Sequence, residues 1–250
     1  IQTMTWFFIA FIAEILWVLG NLVDKYLLEN FFKGKDDDAA PGMLLVFSGL
    51  FGILATIVIV TLSILLPAFN ITNDIALFVS LKSTLLGITT GILSMVWVGL
   101  YLYALERSEL SRVVPILQTI PFFGALLAFF FLGEILTITQ IFFGMVIIFG
   151  ALILSVHVRK KEGALLRRLG IDHITFLLMI GASFVIAVTD TQFKGAVLIS
   201  NYWATAFWTS IGIVLSGVLL LIIVRSYRKQ FFGYIKERQK NIFSLNACNE

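Results

Sequence analysis

The chain has 250 residues, of which 59% are hydrophobic and 13% charged, with a formal net charge of +3 and a mean hydropathy of +0.99. Soluble domains carry about 25% charged residues, so this composition excludes an ordinary soluble globule and a disordered chain; a single cysteine, Cys248, excludes a disulfide scaffold. Twenty-four Phe against four Pro point to long apolar helices in a lipid bilayer.

A helix that crosses the hydrocarbon core needs about 20 apolar residues. Seven stretches meet that length: 4–28, 43–68, 81–105, 113–132, 138–157, 174–198 and 204–224. None shows the ten-residue alternation of a barrel strand. A cleaved signal peptide is a poor reading of the first, which is too long, holds Glu14 and Asp24 and shows no basic leader. The polar run KGKDDDAA closes the first loop at Pro41-Gly42, and Pro67-Ala68-Phe69-Asn70 ends the second span. Thr137-Ile138-Thr139-Gln140 has the spacing of a capping box at the start of the fifth. Asp172 is placed to cap the sixth.

Basic residues orient the spans. The loops after spans one, three, five and seven hold Lys33 and Lys35; Arg107 and Arg112; Arg159, Lys160, Lys161, Arg167 and Arg168; and Arg225, Arg228, Lys229, Lys236, Arg238 and Lys240. The opposite side holds Lys82 alone. This places those four loops in the cytoplasm and the amino terminus outside. The basic runs read as juxtamembrane anchors on anionic lipid, and no soluble part exists in which they could serve a nucleic acid.

Spans one and six superpose when Glu14 is laid on Ser183, which puts Asn21 on Asp190 and Lys25 on Lys194. The spacing i, i+7, i+11 returns to within about 20° of the starting direction on an α-helix, so each helix carries one narrow polar stripe. In span one the stripe takes in Trp17 and Asp24 as well. Five spans followed by the start of five more give an odd repeat, whose second copy is inserted upside down. Inverted repeats around a midplane site are a common carrier design. The expected organisation is an all-α, polytopic helical bundle, with seven helices seen of about ten: a first five-helix repeat at 1–157, a basic cytoplasmic linker at 158–172, and a truncated second repeat at 173–250.

The stretch 103–155 adds a pattern of its own. Ala104-Leu105 ends the third helix before a short polar turn, Pro115 and Pro121 lie in the fourth, and Gly133-Glu134 precedes a fifth with Gly144 and Gly150. It resembles the fourth and fifth helices of the EamA-like family in the drug/metabolite transporter superfamily. VDKYLL (23–28) is similar to the end of that family's first helix, and SYRKQF followed by SLNACNE to its seventh-to-eighth connection. The resemblance implies ten helices in two five-helix repeats, secondary carriage of small metabolites without ATP, and three further helices that this chain lacks. It also implies cytoplasmic termini, which the charge count here reverses.

Charged groups at membrane depth cost about 2.5–3.5 kcal/mol on insertion scales and face a cavity or a partner. Glu14 is therefore either a proton or cation coupling site or an interhelical hydrogen-bond partner. Asp24 and Lys25 lie near the cytoplasmic end of the same span, where Lys25 is expected to snorkel to the interface. Asp190 and Lys194, one turn apart, can neutralise each other or line the path. A Lys one turn after an Asp also admits a retinal protein, but that Schiff-base Lys belongs in a last helix and here another follows.

Pro121 frees a backbone carbonyl that must be satisfied inside the protein, so with Gln118 it marks either a kinked, cavity-lining helix or a bent packing helix. Trp17, Trp97, Tyr101 and Trp208 suit a pocket for an apolar or amphipathic solute, or core packing. Trp6, Tyr103 and Tyr202 suit the interface. Glu106, Arg107, Glu109 and Arg112 should pair locally, Glu134 should sit at a helix terminus, and Asp36 to Asp38 in a solvated loop. The resemblance puts Glu250 in an eighth helix. Gly212 and Ser216 form a small-xxx-small pair that serves the fold or a homodimer. His157 and His173 with distant Cys248 make no zinc pattern, and HExxH, GxSxG and the P-loop are absent from the sequence.

These readings point to a secondary transporter of the cell membrane, not an enzyme and without cofactor or metal. It would move a small organic solute by alternating access, with a proton or cation as a coupling partner. The path candidates are Glu14, Trp17, Asn21, Asp24, Lys25, Trp97, Tyr101, Gln118, Pro121, Asp190 and Lys194. The alternative is a non-transporting seven-helix membrane protein, a scaffold or a retinal-type photoreceptor.

Overall fold

The computed structural model describes residues 2–30, 40–68, 75–135, 137–155, 173–233 and 236, and among them all regular structure is helical. Lys33, Lys35, Asp36 to Asp38, His157, the linker 158–172 with its Asp172, Arg238, Lys240, Cys248 and Glu250 lie outside the described residues. The helices are α1 (Gln2–Asn30), α2 (Ala40–Ala68), α3 (Leu81–Arg107), α4 (Leu110–Leu117), α5 (Ile120–Leu127), α6 (Ile138–Ser155), α7 (His173–Ile199) and α8 (Tyr202–Ile223). Residues 225–233 form one further helical segment.

Among the described residues six helical stretches are long and apolar enough to cross a membrane: Phe7–Asn30, Ala40–Pro67, Leu81–Arg107, Leu110–Leu132, His173–Ile199 and Tyr202–Ile223. They coincide with six of the seven predicted spans to within a few residues. For the remaining one, the shorter apolar helix Ile138–Gly150 is described. Their surfaces carry large exposed apolar side chains such as Phe11, Leu16, Ile57, Phe130 and Ile222. In water such a surface would aggregate; in hydrocarbon it is the ordinary exterior.

The predicted fourth span is not one regular helix. α4 ends at Leu117, Gln118 and Thr119 form a turn, and α5 follows with Pro121 in its first turn. Leu117 is the residue four before Pro121, so the helix breaks where the proline cannot donate and would clash. Across the break the amides of Gln118 and Thr119 reach Pro115 and Ile116 carbonyls in tighter, i to i+3 bonds of 3.1 and 3.0 Å. The Ile116 carbonyl also accepts from the Thr119 hydroxyl at 2.8 Å. After α5 the chain widens into a π-helical turn, Ala128–Leu132, and stops at Gly133 with φ 67°. This left-handed conformation suits a residue without Cβ, and it lets the Glu134 amide reach back to the Ala128 carbonyl at 3.2 Å.

Two caps hold helix starts. Thr137 and Gln140 form the predicted capping box, with Gln140 N donating to Thr137 Oγ1 at 3.3 Å and Thr137 N to Gln140 Oε1 at 2.9 Å. Asn201 caps α8 by accepting from Ala204 N at 2.8 Å.

The chain forms two compact units, Ile1–Leu44 with Trp97–Ala187, and Leu45–Val96 with Val188–Glu250. In the first, Leu102, Leu105, Val113, Leu117 and Met179 are fully buried. The Ser183 hydroxyl, buried with them, donates to its own turn at Met179 O, 2.9 Å away. In the second, helices meet through glycine. A Cβ on Gly49 of α2 would lie 2.6 Å from Gly217 Cα of α8, and one on Gly91 of α3 would lie 2.8 Å from Gly212 Cα. Small residues let backbones approach this closely, so Gly212 of the small-xxx-small pair serves packing within the chain. Around these contacts Thr56 donates to Ser210 at 2.8 Å. Trp208 Nε1 donates to Leu77 O at 3.1 Å and Asn201 Nδ2 to Ala76 O at 2.9 Å, tying the start of α8 to the extended segment before α3.

A polar face between two parallel helices

The first unit concentrates polar side chains between α1 and α3. Tyr101 of α3 donates its hydroxyl to Asn21 Oδ1 of α1 at 2.9 Å. One turn further along both helices, Lys25 Nζ donates to Leu105 O at 2.8 Å and to Ser108 O at 3.1 Å, and pairs with Glu29 at 3.2 Å. The first two contacts link residues separated by the same 80 positions. Equal offsets in the same direction mean that α1 and this half of α3 run parallel and in register. The same offset sets Trp17 level with Trp97.

Each contact has a physical reason. α3 ends at Arg107, so its last carbonyls lack intrahelical partners. A cation at a helix C-terminus satisfies them and meets the negative end of the helix dipole. Lys25 thus clasps the end of α3. Its ammonium has three N–H donors, and two carbonyls and one carboxylate take them. Asn21 is 6% exposed and Tyr101 2%, so their bond forms where water does not compete, and a lost partner would be costly. Asn21 Nδ2 has no partner among the described residues. Exchanging the two ends of the amide would leave Oδ1 free instead, so one end is unpaired in either orientation.

Asp24, half-buried, lies within electrostatic reach of Tyr101. It has no ion pair among the described residues. Neighbouring residues on a helix do not face each other, and Lys25 is committed elsewhere. Trp17 and Trp97 are half-buried.

The structure brings together Asn21, Asp24, Lys25 and Tyr101, with Trp17 and Trp97 one turn away. The Tyr101–Asn21 bond and the Lys25 contacts include none of the other path candidates. Glu14 is exposed on α1 among Phe11, Ile12 and Ile15. Gln118 is half-buried at the α4–α5 break and Pro121 is exposed. Asp190 and Lys194 are exposed on α7, in the second unit. Arg112 pairs with Glu109 at 3.3 Å, the local pairing its spacing predicts. Among the described residues no group of three His, Cys, Asp or Glu could hold a metal ion. Sequence reading missed Gln192, whose amide donates to Thr89 Oγ1 within the second unit, and the carbonyl partners of Lys25, because main-chain acceptors leave no mark in side-chain patterns.

Apolar helices of membrane-spanning length with their hydrogen bonds closed internally define a multi-pass helical membrane protein. The chain matches the EamA-like transporter family over residues 4–156 and belongs to that family, and through it to the drug/metabolite transporter superfamily. Members of the family are membrane transporters, not enzymes. No curated protein and no solved structure matches the chain.

Proposed function

We propose that the protein is a secondary carrier of the cell membrane that moves a small organic solute by alternating access, with the α1–α3 polar face on the solute path. One observation carries this reading: a buried asparagine in an apolar span whose amide keeps one end unpaired among the described residues, beside a carboxylate that has no counter-ion among them. Polar groups at membrane depth are expensive and mark solute or ion pathways. A packing role alone would favour pairing all of them.

The break at Gln118-Thr119 gives the first unit a bending point, and the Lys25 clasp a contact that a moving α1 would have to open. By the charge count the clasp lies toward the cytoplasm. The stripe on α7 with Asp190 and Lys194 is the counterpart in an inverted second repeat. Glu14 is the coupling candidate on α1.

Counterflow into proteoliposomes tests the reading. Uptake driven by a trans-side solute, across a panel of amines, amino acids and organic acids, is the expected result. Folded protein that moves none of them argues against a carrier and returns the scaffold reading, and a visible absorbance band would return the photoreceptor. If Glu14 couples transport to protons, Glu14→Gln removes the pH dependence of flux; unchanged dependence removes Glu14 from the mechanism.

A further inference from the structure

We propose that the face formed by Trp17, Asn21, Asp24, Trp97 and Tyr101 binds an organic ammonium ion with an aromatic body and a hydroxyl or carbonyl between them. The inference deepens the carrier reading and rests on it for its purpose, but binding is measurable without transport.

Charge is the first argument. Asp24 lies in a membrane-spanning helix and has no ion pair among the described residues. Of the Lys and Arg residues described in the first unit, Lys25 is engaged by Leu105, Ser108 and Glu29, Arg112 pairs with Glu109, and Arg107 is exposed at the end of α3. Among the described residues the face thus offers a carboxylate to a cationic ligand and no cation to an anionic one. A metal ion is a poor match, because hard cations need about six oxygen ligands and the Asn21 oxygen is taken by Tyr101.

Geometry supplies the rest. Trp17, Asn21 and Asp24 follow one another along one side of α1 at i, i+4 and i+7. Seven residues of helix rise by about 10.5 Å, which sets the separation of Asp24 and Trp17 along the axis. Midway a ligand meets the unpaired end of the Asn21 amide, which takes a hydroxyl as donor or acceptor. At the far end Trp17 and Trp97, both half-buried, sit level on parallel helices, and indole side chains suit an aromatic body. Ammonium on carboxylate is a charge-assisted hydrogen bond, about twice as strong as a neutral one.

Calorimetric titration of the detergent-solubilised protein with phenylethanolamine tests this, with phenylethanol and mandelate as analogues that lack the ammonium or carry a carboxylate. Phenylethanolamine should bind and the two analogues should not. Asp24→Asn should weaken it by tenfold or more, and Asn21→Leu by a smaller factor. Equal affinity for phenylethanol, binding of mandelate, an unchanged affinity in Asp24→Asn, or no binding of phenylethanolamine at millimolar concentration overturns the proposal. Because the analogue series uses the wild-type chain, misfolding of a variant does not rescue it. Binding as described without flux would sink the carrier reading and leave this one standing; flux without amine binding would do the opposite.

Discussion

The Lys25 ammonium lies 2.8 Å from the Leu105 carbonyl oxygen, with Ser108 O at 3.1 Å beside it. One side chain of α1 therefore closes the end of α3. If this clasp holds the two helices together, Lys25→Met should destabilise the protein by about 2 kcal/mol, the usual worth of hydrogen bonds to a charged group. Lys25→Arg should recover part of it. Thermal unfolding in detergent reads both, and a Met variant as stable as wild type would reduce the clasp to a bystander.

Tyr101 and Asn21 should be energetically coupled. Tyr101→Phe leaves Asn21 with both amide ends unpaired in a buried site, at a cost of about 1–3 kcal/mol. With Asn21→Leu already in place there is no amide left to strand, so the second substitution should cost much less. A double-mutant cycle should yield a coupling of about 0.5–1.5 kcal/mol; strict additivity would mean the bond contributes nothing.

Two glycines should respond in opposite directions to the same substitution. Gly49→Ala drives a Cβ against the Gly217 backbone at 2.6 Å, and should destabilise by about 1–3 kcal/mol. Gly20 on α1 has nothing within 4 Å of its Cβ position, so Gly20→Ala should stabilise by up to about 1 kcal/mol through helix propensity. Comparing the two melting temperatures decides it, and a shift of equal sign would contradict the packing described for α2 and α8.

Gly133 ends the π-helical turn at φ 67°. Gly133→Ala should cost about 1–2 kcal/mol, the penalty of a Cβ in the left-handed region, and Gly133→Asn less, since Asn tolerates that region better. Denaturant midpoints for the pair, measured against wild type, give the comparison.

Much of this was legible in the residues. Hydropathy placed α1, α2, α3, α7 and α8 to within a few positions, because lipid accepts a long apolar helix and little else. The Thr137–Gln140 box was readable because its partners are three residues apart. The split of α4 from α5 was half readable: Pro121 announced a disturbance, but its position at Gln118-Thr119 depended on which carbonyls the Ile116 turn could satisfy. Among the path candidates, the stripe containing Asn21 and Lys25 was visible as a periodicity. Their partners Tyr101 and Leu105 on α3 were not, since each is 80 positions away.

The sequence by itself determined the solvent this protein lives in, the length of its helices and the family to which it belongs, because those follow from composition, local periodicity and short motifs. Tertiary structure decided which polar groups are spent and which are left over. Lys25 is taken up by carbonyls at the end of α3, while among the described residues Asn21 keeps one amide end unpaired and Asp24 has no cation. The reason is physical: a hydrogen bond is fixed by where two backbones come to lie, and a side-chain pattern along one helix carries no information about the neighbour it will meet.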